Sequence, residues 1–542
     1  MFWKSLNPRR LACAMLLGGI ALALFSSTAR LAIAQSCKVV HHPPPTDADT
    51  AFLAGDFAKA AGLYKSALGK DAGDQDATIG LVHTLLRQFK VQEAADALKA
   101  YTKSPEPPAL MTLRGEVELR QGEPWKAAKT AVASQGLDPC NSRTLFLLSR
   151  VENLNSQFAI ARKTLTTAHK IDSEDPEIRA EWIKTLPIEQ RITEWDAYLS
   201  APRGDSADER TNLQTDLNHL KSWAAGPRAS CTMVSTAANA EVPFVPIVGA
   251  GNTHQTIAFG LTVKINNRET RLAIDTSYNA RLPIEGGSGI LISKTAAHHA
   301  GITPVYQNDV PGTGGQAPRS GFVGIADTLS VGDVVFHNCA VQSMDVNFPN
   351  GAEGIVGLEV LSPFLITLDF QAKKLILETL PARPTEMKAA DGLYNRFWAP
   401  SMKDYAPLLI SGSDMVLPVS VNGSPLMPFV LDTAISYSAV TPQAASLLTT
   451  GHKDLKLEDR KAIANWNVIS LSGDQVLNFA GVSLKESPIY PFDTAAFTDD
   501  SGMEIFGLIG LKTISRTTIH IDYRDGLVKF DYDPARKSPF LF

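Results

Sequence analysis

The second half of the chain is written twice, and that repetition limits what it can fold into. The segment "LTVKINNRETRLAIDTS" ends in Asp275-Thr276-Ser277, and "LPVSVNGSPLMPFVLDTA" ends in Asp432-Thr433-Ala434. Each reads as a β-hairpin, turning at Asn266-Asn267 or Asn422-Gly423, whose second strand runs from apolar residues into an acid. Further on, "EGIVGLEVLSPFLITLDFQAKKLIL" and "FGLIGLKTISRTTIHIDYRDGLVKF" each place two apolar residues before a glycine, Gly357 or Gly510. Leu358/Leu511, Ser362/Ser515 and the acids Asp369/Asp522 follow at matching distances. The copies are offset by 157 residues at the first acids and by 153 at the glycines, so a whole folding unit is duplicated.

A carboxylate at the end of a buried strand is costly unless something compensates it. Two homologous lobes related by a pseudo-twofold axis supply the compensation, because equivalent strand ends then meet and Asp275 faces Asp432. Like carboxylates about 3 Å apart cannot both ionise, so the two share one proton. Such a pair holds a water, the ionised member acting as base and the protonated member hydrogen-bonding a scissile carbonyl. This chemistry needs no cofactor and no metal.

The Asp-Thr-small motifs at Asp275-Thr276-Ser277 and Asp432-Thr433-Ala434, with Ile355-Val356-Gly357 and Leu508-Ile509-Gly510 later in each copy, resemble the aspartic peptidases, in particular the bacterial retropepsin-like branch. "SGILISKTAAHHAGI" and "YSAVTPQAASLL" are similar to the strand and helix that this family places after its active acid. The resemblance spans about 300 residues and implies a bilobal all-β domain with Asp275 and Asp432 catalytic. It implies that Thr276 and Thr433 lock the two active loops together, with Ser277 and Ala434 completing them and Gly357 and Gly510 lying beneath. It also implies hairpin flaps over the cleft, with Gly314 and Gly315 in the first and Gly473 in its shorter counterpart. The family's usual third loop residue is glycine, and Ser277 and Ala434 each put a Cβ there. The alternative function is therefore a catalytically inactive, peptide-binding protein of the same fold.

Other reactive residue types have plainer readings. Asp369 and Asp522 read as turn or strand-cap acids, and His298-His299 as solvated residues on a surface helix. Ser288 and Ser438 have no His-Asp arrangement around them, and "GNTHQ" and "GTGGQ" lack the lysine of a phosphate-binding loop.

The first half has a different texture. From Ala51 to about Leu186 it is rich in Ala, Leu and charge, with the phrases "GDFAKAAGLYKSAL", "FKVQEAADALKAY", "GEPWKAAKTAVA" and "QFAIARKTLTTA". Their small positions Ala60, Ala94, Ala128 and Ala161 are spaced by 34, 34 and 33 residues, the period of tetratricopeptide repeats, which stack into an α-solenoid. Such an array offers a groove for a peptide or partner protein, or serves as a spacer.

The opening 34 residues carry Lys4, Arg9 and Arg10, then an apolar run and small residues, the layout of a secretory signal peptide. An uncleaved membrane anchor is the alternative. The expected organisation is a leader over 1–34, helical repeats over 48–225, a first lobe over 242–385 and a second over 386–542. Export to the periplasm or outside the cell follows, with no membrane span once the leader is removed. Cys37, Cys140, Cys231 and Cys339 then allow two disulfides in three pairings, or remain buried thiols; their spacing does not suit zinc. A net charge of −5 supplies no attraction to nucleic acid. Because one chain holds both acids, a monomer suffices for one active site.

Overall fold

The structure is a computed structural model that describes residues 37–101, 103–227, 229–235, 239–248, 256–278, 286–309, 319–348, 351–384, 393–412, 414–451, 457–461, 467–471, 473–491, 498, 501–536 and 538–539. The leader and the flap candidates Gly314 and Gly315 lie outside the described residues. No helix among the described residues is long and apolar enough to cross a membrane. The chain divides into two compact units, one of residues up to 211 apart from Leu154–Ser156, the other of those three residues and Asn212–Phe542. The division falls inside the helix Ala207–Ala225.

The first unit is an α-solenoid. Helices alternate from Asp47–Leu53 onward, and in the repeats the second helix of each pair is Phe57–Lys70, Val91–Lys99, Pro124–Leu137 and Phe158–Ile171. Ala60, Ala94 and Ala161 are buried in these helices, as expected for the small position that lets two helices approach. In the third repeat the fully buried alanine is Ala127, whereas Ala128 is only half-buried, so the spacing of Ala128 misplaced that repeat by one residue. Two adjacent alanines satisfy the periodicity almost equally, and only packing distinguishes them. The turn before each of these helices contains one residue in the left-handed region: Gly55, Phe89, Gly122 and Ser156. Cys37 is bonded to Cys140, tying the segment before the first helix to the turn between the helices Pro124–Leu137 and Ser142–Leu154.

Beyond the end of the helix Ala207–Ala225, the second unit is all β apart from short helices. Its sheets are built from β1 (Ala240–Pro243), β2 (Thr256–Ile265), β3 (Arg268–Ile274), β4 (Gly287–Ser293), β5 (Thr303–Gln307), β6 (Gly321–Val331), β7 (Val334–Met344), β8 (Gly354–Val356), β9 (Phe364–Asp369) and β10 (Lys374–Thr379) in the first lobe. The second lobe supplies β11 (Asp414–Val421), β12 (Met427–Leu431), β13 (Ala439–Val440), β14 (Gln475–Phe479), β15 (Val482–Glu486), β16 (Gly507–Ile509), β17 (Thr517–Asp522) and β18 (Leu527–Tyr532). Asn266, Asn267, Asn422 and Gly423 all have positive φ, so both hairpins turn where their sequences predict.

The lobes share one arrangement. In the first, β8 runs parallel to β3 and antiparallel to β4, threading between them; in the second, β16 does the same between β12 and β13. A chain leaving β3 or β12 must therefore cross over the threaded strand, and the crossing loops carry the Asp-Thr motifs. Each crossing is followed by the expected strand and helix, β4 with Lys294–His299 and β13 with Pro442–Gly451.

A sheet shared between the lobes joins them. Among the described residues it has six strands, with β18, β17, β9, β10 and β1 in succession. At its centre β9 pairs antiparallel with β17, and Thr367 stands opposite His520. These two are equivalent positions of the duplication, 153 residues apart, and Thr367 Oγ1 lies 2.8 Å from His520 Nδ1. The pseudo-twofold axis passes between them. Cys231 is bonded to Cys339 in β7, closing the first lobe's edge.

Candidate active site

The two acid loops meet, and a reciprocal set of hydrogen bonds holds them. The Thr276 N–H donates to Thr433 Oγ1 at 3.0 Å, and the Thr433 N–H donates to Thr276 Oγ1 at 3.1 Å. Thr276 Oγ1 donates to the Leu431 carbonyl at 2.7 Å, and Thr433 Oγ1 donates to the Ile274 carbonyl at 2.8 Å. Each hydroxyl thus accepts once and donates once across the axis, and both threonines are buried. Asp275 and Asp432 are fixed from below in the same way, their N–H groups donating to the carbonyls of Val356 and Ile509 at 3.0 and 3.1 Å.

Gly357 and Gly510 follow those carbonyl-bearing residues and lie under the loops. A Cβ on Gly510 would stand 2.4 Å from the carbonyl carbon of Tyr437, and one on Gly357 would stand 3.1 Å from the carbonyl oxygen of Tyr278. Close backbone approach therefore requires glycine at Gly510 and leaves little room for a Cβ at Gly357. Gly473 is placed differently from its sequence reading. The second lobe's comparable hairpin is the pair Leu457–Lys461 and Asn467–Leu471; Gly473 comes after it, at the exposed junction leading into β14. A glycine turn signal alone resembles a hairpin tip, but the strands on either side of Gly473 pair with different partners.

Ser277 and Ala434 do not displace their loops. With a Cβ at both positions, the Ser277 N–H still donates to Asp275 Oδ1 at 3.0 Å and the Ala434 N–H to Asp432 Oδ1 at 2.7 Å. Neither residue has a positive φ. The Ser277 hydroxyl adds a further bond to Asp275 Oδ1, at 2.9 Å. Burial pushes both carboxyls up, and the charge of Asp275 pushes Asp432 further, to about 7. Such a pair stays half-protonated over much of the acidic to neutral range.

Two buried polar networks around these loops were not read from the sequence. In the first lobe Tyr278 donates its hydroxyl to Gln342 Oε1 at 2.6 Å. In the second, Glu486 accepts from the Ser438 N–H at 3.3 Å and from its hydroxyl at 3.0 Å, while Ser438 Oγ accepts from the Gly510 N–H at 3.0 Å. Burial pushes Glu486 up to about 7. Ser438 therefore supports the second loop. Ser288 is buried and donates to the Ala340 carbonyl, and His298 and His299 are exposed on their helix. Asp369 accepts from the Gln371 and Ala372 N–H groups, as a turn acid does. Asp522 is fully buried, accepts from the Asp525 N–H and is pushed up to about 7 by burial and by Asp525.

Residues 261–360, which include Asp275-Thr276-Ser277 and Gly357, match the aspartyl protease family. The chain contains a protease-like domain. Residues 51–115 match the tetratricopeptide repeat family, in keeping with the alanine spacing of the solenoid. Among solved structures, a retropepsin-like aspartic protease from Rickettsia conorii is 14% identical, the match covering 27% of this chain and 96% of that one with a TM-score of 0.17. No curated protein matches the chain.

Proposed function

We propose that the β unit is an aspartic-type endopeptidase that hydrolyses peptide bonds with water held between Asp275 and Asp432. The observation that carries this reading is the reciprocal threonine lock, which joins the loops that carry Asp275 and Asp432, with the charge of one raising the other. A water between them gives a proton to the ionised carboxylate as its oxygen attacks the scissile carbonyl, and the protonated carboxyl stabilises the developing oxyanion. The carboxyl that took the water's proton then gives it to the amide nitrogen as the C–N bond breaks, and the other carboxylate takes one proton from the tetrahedral intermediate, so that the pair again holds one proton. One chain supplies both acids, so a single protomer is enough. The helical repeats bind a substrate or a partner protein, and an extended peptide is the substrate class. Export through the leader over 1–34 fits the pairing of Cys37 with Cys140 and Cys231 with Cys339, since disulfides persist in oxidising compartments.

The test is incubation of the purified protein with a diverse peptide library from acidic to neutral pH, beside Asp275→Asn and Asp432→Asn. Cleavage by the wild type that falls at least about a thousandfold in each variant supports the reading. Absence of cleavage with retained peptide binding would establish the inactive, peptide-binding alternative instead.

A further inference from the structure

The two active loops match in their Asp-Thr pairs and differ in the side chain that follows, Ser277 in one and Ala434 in the other. Asp275 Oδ1 accepts from the N–H of Ser277, and Asp432 Oδ1 accepts from the N–H of Ala434. To this shared set Ser277 adds its Oγ at 2.9 Å from Asp275 Oδ1, and the methyl of Ala434 adds nothing to Asp432. A hydroxyl donating to a carboxylate favours its ionised form.

We propose that Ser277 is a positioning residue that sets the polarity of the pair, holding Asp275 as the ionised base while Asp432 keeps the shared proton. The assignment rests on the peptidase reading for its mechanistic meaning. Its geometry stands independently. The attacking water loses its proton to Asp275, and the hydroxyl of Asp432 hydrogen-bonds the carbonyl oxygen of the substrate.

Other groups near the pair do not oppose this order. The charge of Asp275 reaches Asp432, Tyr278 and Tyr523, and Tyr523 also feels Glu359 and Asp414; neither acid takes its shift from a cation among the described residues. The Ser277 hydroxyl also acts on Asp432, as the smallest of the contributions to that group, so its effect falls mainly on Asp275.

The experiment measures kcat/KM against pH for the wild type, Ser277→Ala, Ser277→Thr and Ala434→Ser, using a peptide found by library cleavage. Protein labelled with 13C at the aspartate carboxyl is titrated by NMR in parallel, and the resonance lost in Asp275→Asn or Asp432→Asn identifies each acid. With the hydroxyl gone in Ser277→Ala, the acid limb of the profile moves up by about one pH unit, the size expected from one hydrogen bond to a charged group. Ser277→Thr restores the limb. Ala434→Ser narrows the separation between the two carboxyl titrations. A merely structural role for Ser277 lowers kcat and leaves the limb in place, and that result overturns the proposal. So does a wild-type titration in which Asp432 ionises before Asp275. If no peptide is cleaved, the peptidase reading fails while the order of the two carboxyl titrations still decides the proposal.

Discussion

Replacing Thr276 with valine is the sharpest test of how the lobes are joined. Valine keeps the shape of threonine and removes one hydroxyl. That hydroxyl donates to the Leu431 carbonyl at 2.7 Å and accepts from the Thr433 N–H at 3.1 Å, so its loss orphans an acceptor and a donor. Leu431 is 0% and Thr433 3% exposed, so water does not replace the lost partner. An unsatisfied buried group costs about 1–3 kcal/mol, and two of them cost on the order of 3 kcal/mol after partial relaxation. At 1.4 kcal/mol per factor of ten, amide exchange of the crossing loops accelerates by about a hundredfold. Hydrogen exchange by mass spectrometry, read on peptides spanning 268–278 and 427–435 in the full chain, measures this locally without requiring the two units to unfold together. Thr276→Ser keeps the hydroxyl and should stay near the wild type. Thr433→Val should match Thr276→Val, and the double variant, which removes four separate hydrogen bonds, should exchange faster than either single variant. Exchange within about threefold of the wild type in Thr276→Val would refute the account of the lock.

Gly510→Ala should prevent the second lobe from closing properly, costing about 3 kcal/mol or more, because the new Cβ meets backbone of Tyr437 that cannot rotate away. Gly357→Ala has a 3.1 Å contact to accommodate and should be milder, and soluble yield with loop exchange rates tests that order. Glu486→Gln should flatten the pH dependence of stability. Glu486 is 3% exposed and pushed up to about 7 from an ordinary 4.5, so the folded state holds its proton more tightly than the unfolded chain does. Its contribution is present below pH 4.5 and is lost as the pH rises through about 7, amounting to about 3 kcal/mol. Glutamine does not titrate, so above neutrality the variant's β unit should unfold at a higher temperature than the wild type's; equal pH slopes would contradict the assignment.

What could be read from the sequence is what is locally encoded. Asn266-Asn267 and Asn422-Gly423 mark their turns because few residues tolerate positive φ. The Asp-Thr motifs and the later glycines are visible because the duplication repeats them at a nearly constant offset. Residues whose roles depend on distant partners carried no such mark. Glu486 sits in "VSLKE", an ordinary alternating strand, and acquires its role from Ser438, 48 residues earlier. The pairing of Thr367 with His520 could be found only by supposing that the strands after the glycines meet across the axis. The disulfide pairing was one of three, and which alanine of Ala127-Ala128 packs inward depends on a neighbouring helix.

The duplication separates two requirements that a symmetric pair of identical lobes must meet together. The threaded strand, the glycine beneath it and the threonine lock are matched in both copies, so they fix where the acids meet. The polar groups around that frame are not matched: Ala434 takes the place of Ser277 in the second copy, the Tyr278–Gln342 contact is made in the first lobe, and the Ser438–Glu486 contact is made in the second. In a symmetric dimer both acids have the same surroundings, and the free enzyme has no preferred base. Here one additional charge-assisted hydrogen bond, about 1.5–3 kcal/mol, biases the proton toward one acid by roughly ten- to a hundredfold. Two carboxyls in unlike surroundings are thus distinguished before anything binds, which a single chain with two diverged halves can provide and two copies of one half cannot.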